Sequence, residues 1–282
     1  MNTIQLVEKF VPVIDGIYKK ASLTSVLDAP TQIDFTDGNT VKVMKVNTTG
    51  LGDYSREDGY KKGSATLEWE AMTLNEDRGA QLNIDRMDNE ETLGQAFGMV
   101  MNEFIRLNVA PEVDAYRFSK YAKTAGVGTK AAALSDASAV ISALRDATTA
   151  MDEAEVSEEN RILFITPTYY GVIQDMDTTK SKAVLDGFSS IIKVPQTRFF
   201  TDITLNSGDD AWGFTKGSSA KNINFMVVEK SAVVQATKMA LPKIFDPDTN
   251  QTSDSWLFQY RLYHDAFVTD NKVNGVYVHT AV

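Results

Sequence analysis

The stretch TGLGDYSREDGYKKGSATLEWEAMTL, residues 49–74, constrains the fold more than any other part of the chain. Its four glycines suit turns and bulges, where a side chain is costly. In the returning arm, Leu67 and Trp69 alternate with glutamates, which predicts a strand with one apolar face. Two arms of about 12 residues would reach roughly 40 Å. Because an isolated two-stranded hairpin is only marginally stable in water, this hairpin needs a surface to lie on.

The composition limits the classes of function. The chain has 282 residues, enough for one large or two modest domains, and a formal charge of −10. Such a charge argues against a tight, non-specific grip on nucleic acid, although not against a shell that merely encloses it. The absence of cysteine excludes disulfides, thiolate nucleophiles and Cys-ligated metals. With neither a signal-peptide pattern nor a membrane-length apolar run, a cytosolic product without a membrane partner is expected.

The strongest helical pattern follows the hairpin, in residues 88–126. Phe97, Met101 and Phe104 recur at spacings of three and four residues, as on one face of a helix. Pro111 is expected to kink this helix or to begin a second segment. Roughly 35 helical residues would span about 50 Å. This length indicates a spine rather than one layer of a compact domain.

Shorter elements flank the spine. Strands are expected at 40–47 and 80–84, and a helix at 135–156 with Ser135 as its N-cap. Further strands are expected within residues 161–167, 190–200 and 222–242, and a short helix at 168–176. The segment WLFQYRLYHDAFVTDNKVNGVYVH, residues 256–279, predicts two strands joined by the turn region TDNKVNG.

No motif in the sequence predicts catalysis or a bound metal. His264 and His279 stand in strand-like contexts without a third ligand nearby. GVGTK, residues 126–130, lacks the spacing of a phosphate-binding loop and is expected to be a helix stop and flexible connection. DPDTNQTSD, residues 246–254, begins like a calcium loop but lacks its glycine and final glutamate, which favours a polar turn. We therefore expect no catalytic residue, no cofactor and no metal, and a protein that is not an enzyme.

The order of elements is an arm, a strand, a glycine-rich hairpin, a long spine helix, an α/β insert and terminal strands. This order resembles the major capsid proteins of tailed bacteriophages with the HK97-type fold. Residues 74–126 and 256–279 are most similar to segments of siphophage capsid proteins, including those of phages of Gram-positive bacteria. The resemblance covers essentially the whole chain and implies an α+β fold.

The resemblance also implies a division of the chain. The expected parts are an N-terminal arm (1–35), an extended hairpin loop (48–80), an axial domain (130–230) and a peripheral domain with the spine helix (36–47, 81–129 and 231–282). The axial domain would meet its copies at the centre of a pentamer or hexamer, and the arm would wrap an adjacent subunit.

In this family the hairpin lies across a neighbouring subunit. The apolar face with Leu67 and Trp69 would then rest on the neighbour, and Asp248 and Asn250 would lie near local three-fold contacts. Polar contacts are expected from charged residues near the hairpin tip, namely Arg56, Glu57, Asp58, Lys61 and Lys62. The alternative is an ordinary surface hairpin whose charges are merely solvated.

The implied function is an icosahedral head shell of pentamers and hexamers that encloses double-stranded DNA without sequence-specific binding. The protein would lie in the virion, after assembly in the host cytoplasm. Its partners would be a separate scaffolding protein, or none, a portal and, optionally, decoration proteins. A Lys–Asn isopeptide cross-link through Lys61, Lys62 or Asn250 is not expected. The rival hypotheses are an encapsulin compartment with an enzyme cargo, a cytosolic α+β enzyme, and a tail or sheath protein.

Overall fold

The computed structural model describes most of the chain, namely residues 18, 21–28, 34–36, 39–57, 59–91, 95–176 and 183–282. The helices are α1 (Arg86–Glu91), α2 (Gln95–Phe104), α3 (Ala110–Lys123), α4 (Ala137–Glu153) and α5 (Pro167–Met176). The first strands are β1 (Asp34–Thr36), β2 (Thr40–Thr48), β3 (Ala65–Thr73), β4 (Glu76–Asp85), β5 (Gly128–Ala131), β6 (Arg161–Ile165) and β7 (Ser190–Lys193). The later strands are β8 (Ile203–Leu205), β9 (Phe214–Lys216), β10 (Ile223–Glu229), β11 (Val233–Phe245), β12 (Ser255–Val268) and β13 (Val276–Thr280).

The main core surrounds a five-stranded sheet with the order β5-β13-β10-β6-β7. Every residue of β6, β10 and β13 is buried, as expected for strands covered on both faces. On one face, Leu163 and Phe225 pack with Leu144 of α4. On the other face, Phe164 packs with Phe118 of α3. The sheet is therefore enclosed between α4 and the spine.

The spine is one continuous helical rod over residues 95–123. A π-helical turn, Ile105–Val109, joins α2 to α3. Pro111 lies in the first turn of α3, which confirms that it begins a second segment. Because proline has no N–H and crowds the preceding turn, a wider π turn lets the helix continue past it. The rod is roughly 40 Å long.

A second, antiparallel sheet with the order β11-β12-β4 lies on the spine. Its inner face contributes Phe258, Tyr260 and Leu262, which pack against Met101 and Ile105 of the spine. Its outer face is polar, with an ion pair between Arg261 and Asp77 and a hydrogen bond between Gln259 and Gln81. This alternation explains why β4, expected near residues 80–84, reads as a half-buried strand.

The two strands expected in residues 256–279 are present as β12 and β13, which are joined by a turn and lie in different sheets. Two other local expectations are wrong. Residues 128–131 are not a flexible connection but β5, parallel to β13. The N-cap of α4 is Asp136 rather than Ser135, because the Asp136 carboxylate accepts the Ala139 N–H at 2.8 Å.

Candidate assembly surface

A hairpin is present and its returning arm is β3, as predicted, but its first arm is β2, the strand expected separately at 40–47, and residues 49–64 form the loop between the arms. β2 and β3 pair antiparallel over nine residues each, and β1 pairs with the other edge of β2. The strands end at a polar closure, where Thr49 N–H donates to Ser64 O and Ser64 N–H donates to Thr49 Oγ1, both at 3.0 Å. The strand expected at 40–47 is thereby confirmed.

The root of the hairpin is packed on the body of the protein. Val41 and Leu74 are buried against Val234 and Ala236 of β11. The Tyr263 hydroxyl donates to Leu74 O at 2.8 Å. These contacts fix where the hairpin leaves the subunit.

Beyond the root, the two faces of the hairpin differ. Residues directly opposite in an antiparallel pair share a face, so Met44 lies beside Trp69, and Val46 beside Leu67. These four side chains, which we name the outer patch, are 53%, 58%, 52% and 62% exposed. On the opposite face Lys45 lies across from Glu68. The outer patch is thus an apolar surface that the subunit does not cover.

The sequence predicts two of the four residues of the outer patch. Leu67 and Trp69 were expected on one face, and both lie there. Met44 and Val46 were missed, because only the antiparallel register shows that they lie across from Leu67 and Trp69. The available sequence signal was that Met44 and Val46 are apolar and two residues apart in TVKVMKVN, as on one face of a strand.

The tip of the hairpin is a small closed turn. Ser55 and Gly59 form a bridge, with Gly59 N–H donating to Ser55 O at 2.8 Å. Gly59 has φ +77°, a conformation that side chains disfavour. The rings of Tyr54 and Tyr60 meet edge to face with centroids 4.9 Å apart. The tip therefore presents an aromatic pair.

The charged candidates lie around this tip. Arg56, Glu57, Lys61 and Lys62 are exposed there. Asp58 lies outside the described residues.

Asp248 and Asn250 lie elsewhere, in the loop between β11 and β12. The Asn250 amide donates to Ser255 O at 3.0 Å, and its oxygen accepts from the Thr252 hydroxyl at 2.7 Å. Asp248 lies 3.2 Å from the Arg86 guanidinium. The loop is the expected polar turn, and the Asn250 amide holds it together.

A buried polar cluster stands where the hairpin joins β4. Asp265 has no exposed surface and accepts the Tyr116 hydroxyl at 2.8 Å and the Asn75 N–H at 3.2 Å. Burial, followed by the charge of Asp265, raises the pKa values of Glu76 and Tyr116. This cluster fixes the backbone between β3 and β4 to the spine.

A second buried cluster fastens residues 21–28 to the spine, and sequence reasoning missed it. Asp114, with no exposed surface, accepts from Ser22 Oγ at 2.9 Å, Thr24 Oγ1 at 2.7 Å and Arg198 Nη1 at 3.0 Å. Arg117, buried beside it, donates to Thr24 Oγ1 at 2.8 Å. The only sequence signal is a charged pair on an otherwise apolar helix face.

The two histidines lie in strands, as expected. Burial, with the charges of Arg117 and Arg78, lowers the pKa of His264 to about 3, so its ring is neutral at physiological pH. Burial also lowers the pKa of His279. In the described part of the chain, no three His, Asp or Glu side chains are grouped to hold a metal ion. No helix there has the length and apolar character needed to cross a membrane.

Comparison with known proteins gives a likeness in structure only. No protein-family model and no curated protein matches the sequence. The capsid structure of cyanophage P-SCSP1u matches 89% of this chain and 85% of its own, with a TM-score of 0.62 and 15% identity. The chain has the HK97-type capsid fold. The α+β fold implied by the resemblance is thereby confirmed.

Two further structures support the same fold. A virus-like particle from Pyrococcus furiosus has a TM-score of 0.62 at 12% identity, over 98% of this chain and 100% of that one. The mature capsid of bacteriophage PhiM1 has a TM-score of 0.57 at 13% identity, over 87% and 82%. The likeness extends over 87–98% of the chain in these three structures.

Proposed function

We propose that this chain is a major capsid protein that assembles into the icosahedral head shell of a tailed phage, enclosing its double-stranded DNA. The observation that carries the proposal is the outer patch. Four large apolar side chains, each more than half exposed, project on a hairpin from a fold that solved capsid structures share. A contiguous apolar surface on a soluble subunit marks a contact site.

The hairpin suits contact with a second copy. A neighbour that covers Leu67 and Trp69 removes apolar surface from water, which favours association. Arg56, Glu57, Asp58, Lys61 and Lys62 would surround that contact with polar groups, as at the rim of an ordinary interface. Each subunit gives one hairpin and receives another, so modest contacts add up across a closed shell.

The rest of the subunit acts as a stiff wedge. The enclosed five-stranded sheet and the spine keep its shape, while the hairpin adapts to slightly different positions in pentamers and hexamers. We assign residues 130–230 to the axial contacts, and the loop with Asp248 and Asn250 to the contacts near three-fold positions. The role is structural rather than catalytic.

The other partners follow from the same proposal. A separate scaffolding protein, a portal and, optionally, decoration proteins would act during assembly in the host cytoplasm, and the finished protein would lie in the virion. The formal charge of −10 suits a container that does not adhere to its DNA.

Electron microscopy of the expressed chain tests this function. We expect closed shells from the intact protein, and lost or mis-sized shells after deletion of residues 52–64, which removes the tip and leaves the hairpin root in place. The control is Thr66→Ser/Glu68→Ser, on the face of β3 opposite the outer patch, and it should leave shells unchanged. A uniform small oligomer formed alike by the intact chain, the deletion variant and the control would contradict the proposal and favour an enzyme.

The contents and shape of the particles separate the remaining rivals. Particles that package DNA in the presence of the phage machinery support a head shell. Shells that copurify with a cargo protein and never take up DNA would indicate an encapsulin compartment instead. Open tubes would indicate a tail or sheath protein.

A further inference from the structure

We propose that a cleft beside the π turn of the spine binds a carboxylate attached to an apolar group, either an acidic side chain of a partner protein or a small organic acid. The cleft has a volume of about 590 Å³. Its walls combine two guanidinium groups, a hydroxyl group and three apolar side chains, namely Arg106, Arg198, Thr197, Leu107, Pro111 and Phe214. This inference goes beyond the proposed shell function and does not depend on it.

Arg198 is the residue that points to a ligand. Its Nη1 donates to Asp114 Oδ2 at 3.0 Å. Its Nε–H is buried and has no acceptor among the residues that the structure describes. A buried donor without a partner costs free energy, so folded proteins rarely keep one without a reason. An anion that enters the cleft supplies an acceptor for this guanidinium.

Asp114 does not require the whole of the Arg198 guanidinium. Its carboxylate also accepts from Leu23 N–H at 2.9 Å, from Thr24 N–H at 3.1 Å, and from the hydroxyls of Ser22 and Thr24. These four hydrogen bonds already stabilise its charge. The Nε and Nη2 atoms of Arg198 form the other edge of the guanidinium, and such an edge binds a carboxylate through two parallel hydrogen bonds.

Arg106 adds a second positive charge to the cleft. It lies in the π turn, and its side chain is 57% exposed. Its Nη2 lies 2.8 Å from Glu103 Oε2, one turn earlier on the spine. Because an exposed ion pair of this kind contributes little free energy, Arg106 can turn toward a ligand at small cost. Short π-helical turns occur frequently at functional sites, which agrees with this placement.

The apolar walls select the class of anion. Leu107 is 55% exposed, and Pro111 and Phe214 lie in the same cleft. A free phosphate is polar on every side and gains nothing from these walls. A carboxylate on an aliphatic or aromatic group meets the arginines with its charge and covers Leu107 with its apolar part.

Much of the cleft is ordered before a ligand arrives. Phe214 of β9 packs on Tyr116 of the spine, and Asp114 holds Arg198. Binding therefore requires the ordering of few side chains, chiefly Arg106. A ligand in the cleft would connect the π turn with β9 and with the segment that carries Arg198.

Isothermal titration calorimetry of the intact chain tests the site. The probes are phenylacetate, as a small acid, and the capped peptide acetyl-Leu-Glu-Leu-amide, as a protein-like ligand. We expect one bound probe per subunit, with an affinity at least tenfold above that of its neutral counterpart, which is phenylacetamide or the same peptide with Gln in place of Glu. A peptide that binds at least tenfold more tightly than phenylacetate identifies a partner protein as the source, and the reverse order identifies a free acid.

Three variants separate the site from non-specific attraction. Arg198→Lys keeps a positive charge for Asp114 but lacks the two-nitrogen edge, and it should weaken binding at least tenfold. Arg106→Gln, at an exposed position, should weaken binding at least threefold with an unchanged melting temperature. Arg145→Gln, also exposed but on α4, is the matched control and should bind as the intact chain does.

Two results would overturn the inference. One is that neither probe binds more tightly than its neutral counterpart. The other is that Arg106→Gln and Arg198→Lys bind the probes as tightly as Arg145→Gln does. Either result would leave the shell function standing, since that function is judged by the particles that the chain forms.

Discussion

The five-stranded sheet and the hairpin use apolar side chains for opposite purposes. In β6 and β10 every residue is buried by the subunit itself. In the hairpin, the outer patch is more than half exposed and only the root is buried. Similar residues therefore stabilise the subunit in one region and, by our proposal, the assembly in the other. The two regions also differ in sequence, since residues 225–228 of β10 are a continuous apolar run while Leu67 and Trp69 alternate with charges.

The largest expected effect is in the five-stranded sheet. Phe225 is fully buried and stacks on His279, with ring centroids 4.9 Å apart. We expect Phe225→Ala to lower the free energy of unfolding by about 3–5 kcal/mol, because it leaves a cavity between packed layers. Urea denaturation measures this, and a loss below about 1 kcal/mol would show that the sheet is not the main core.

A somewhat smaller effect is expected at the cluster that holds residues 21–28. Asp114→Ala leaves the partly buried Arg198 without its carboxylate and the buried hydroxyls of Ser22 and Thr24 without their acceptor, which should cost about 3 kcal/mol of unfolding free energy. Asp146→Ala is the matched control. Its partner Lys130 is about half exposed, and the loss should stay below about 1 kcal/mol. Equal losses in the two variants would contradict the anchoring role of Asp114.

A pH-dependent effect comes from His264. Its pKa is about 3 in the folded protein and 6.5 ordinarily, so acid favours the unfolded state, which takes up the proton first. The contribution of the neutral His264 ring to folding stability is complete above pH 6.5 and is lost as the pH falls toward 3. At pH 5 the unfolding free energy should be lower by about 2 kcal/mol from this residue alone. His264→Phe should flatten the decline in melting temperature between pH 7 and pH 5, and an unchanged slope would contradict this origin.

The smallest effect on the subunit is expected at the hairpin. Because Trp69 is more than half exposed, Trp69→Ala should change the unfolding free energy by less than about 0.5 kcal/mol. The measurement is urea denaturation of the dissociated subunit, beside Phe225→Ala. A loss of 2 kcal/mol or more would mean that the outer patch is packed within the subunit, and the comparison between the two regions would fail.

The sequence predicted those features that depend on local patterns. Alternation in TVKVMKVN predicted β2, and alternation in ATLEWEAMT predicted β3. The periodic apolar residues around Met101 predicted the spine. The family resemblance, rather than any single motif, supplied the fold. Features that depend on long-range pairing were not predictable. Two such features are the placement of β12 and β13 in different sheets and the register that sets Met44 beside Trp69.

The buried polar clusters could not be predicted either, because they too depend on long-range contacts. Asp114 and Asp265 look like ordinary charged positions, and only the tertiary structure brings Thr24 to one and Tyr116 to the other. The domain boundaries and the residues that contact other subunits stay predictions.

Sedimentation velocity of the double variant Leu67→Ser/Trp69→Ser, beside the intact chain, tests the central claim most directly. The control is Thr66→Ser/Glu68→Ser, on the opposite face of the same strand. The outer-patch variant should sediment as small, folded subunits with an unchanged melting temperature, while the intact chain and the control sediment as shells. Shells of the same size and yield from all three proteins would show that the outer patch does not drive assembly.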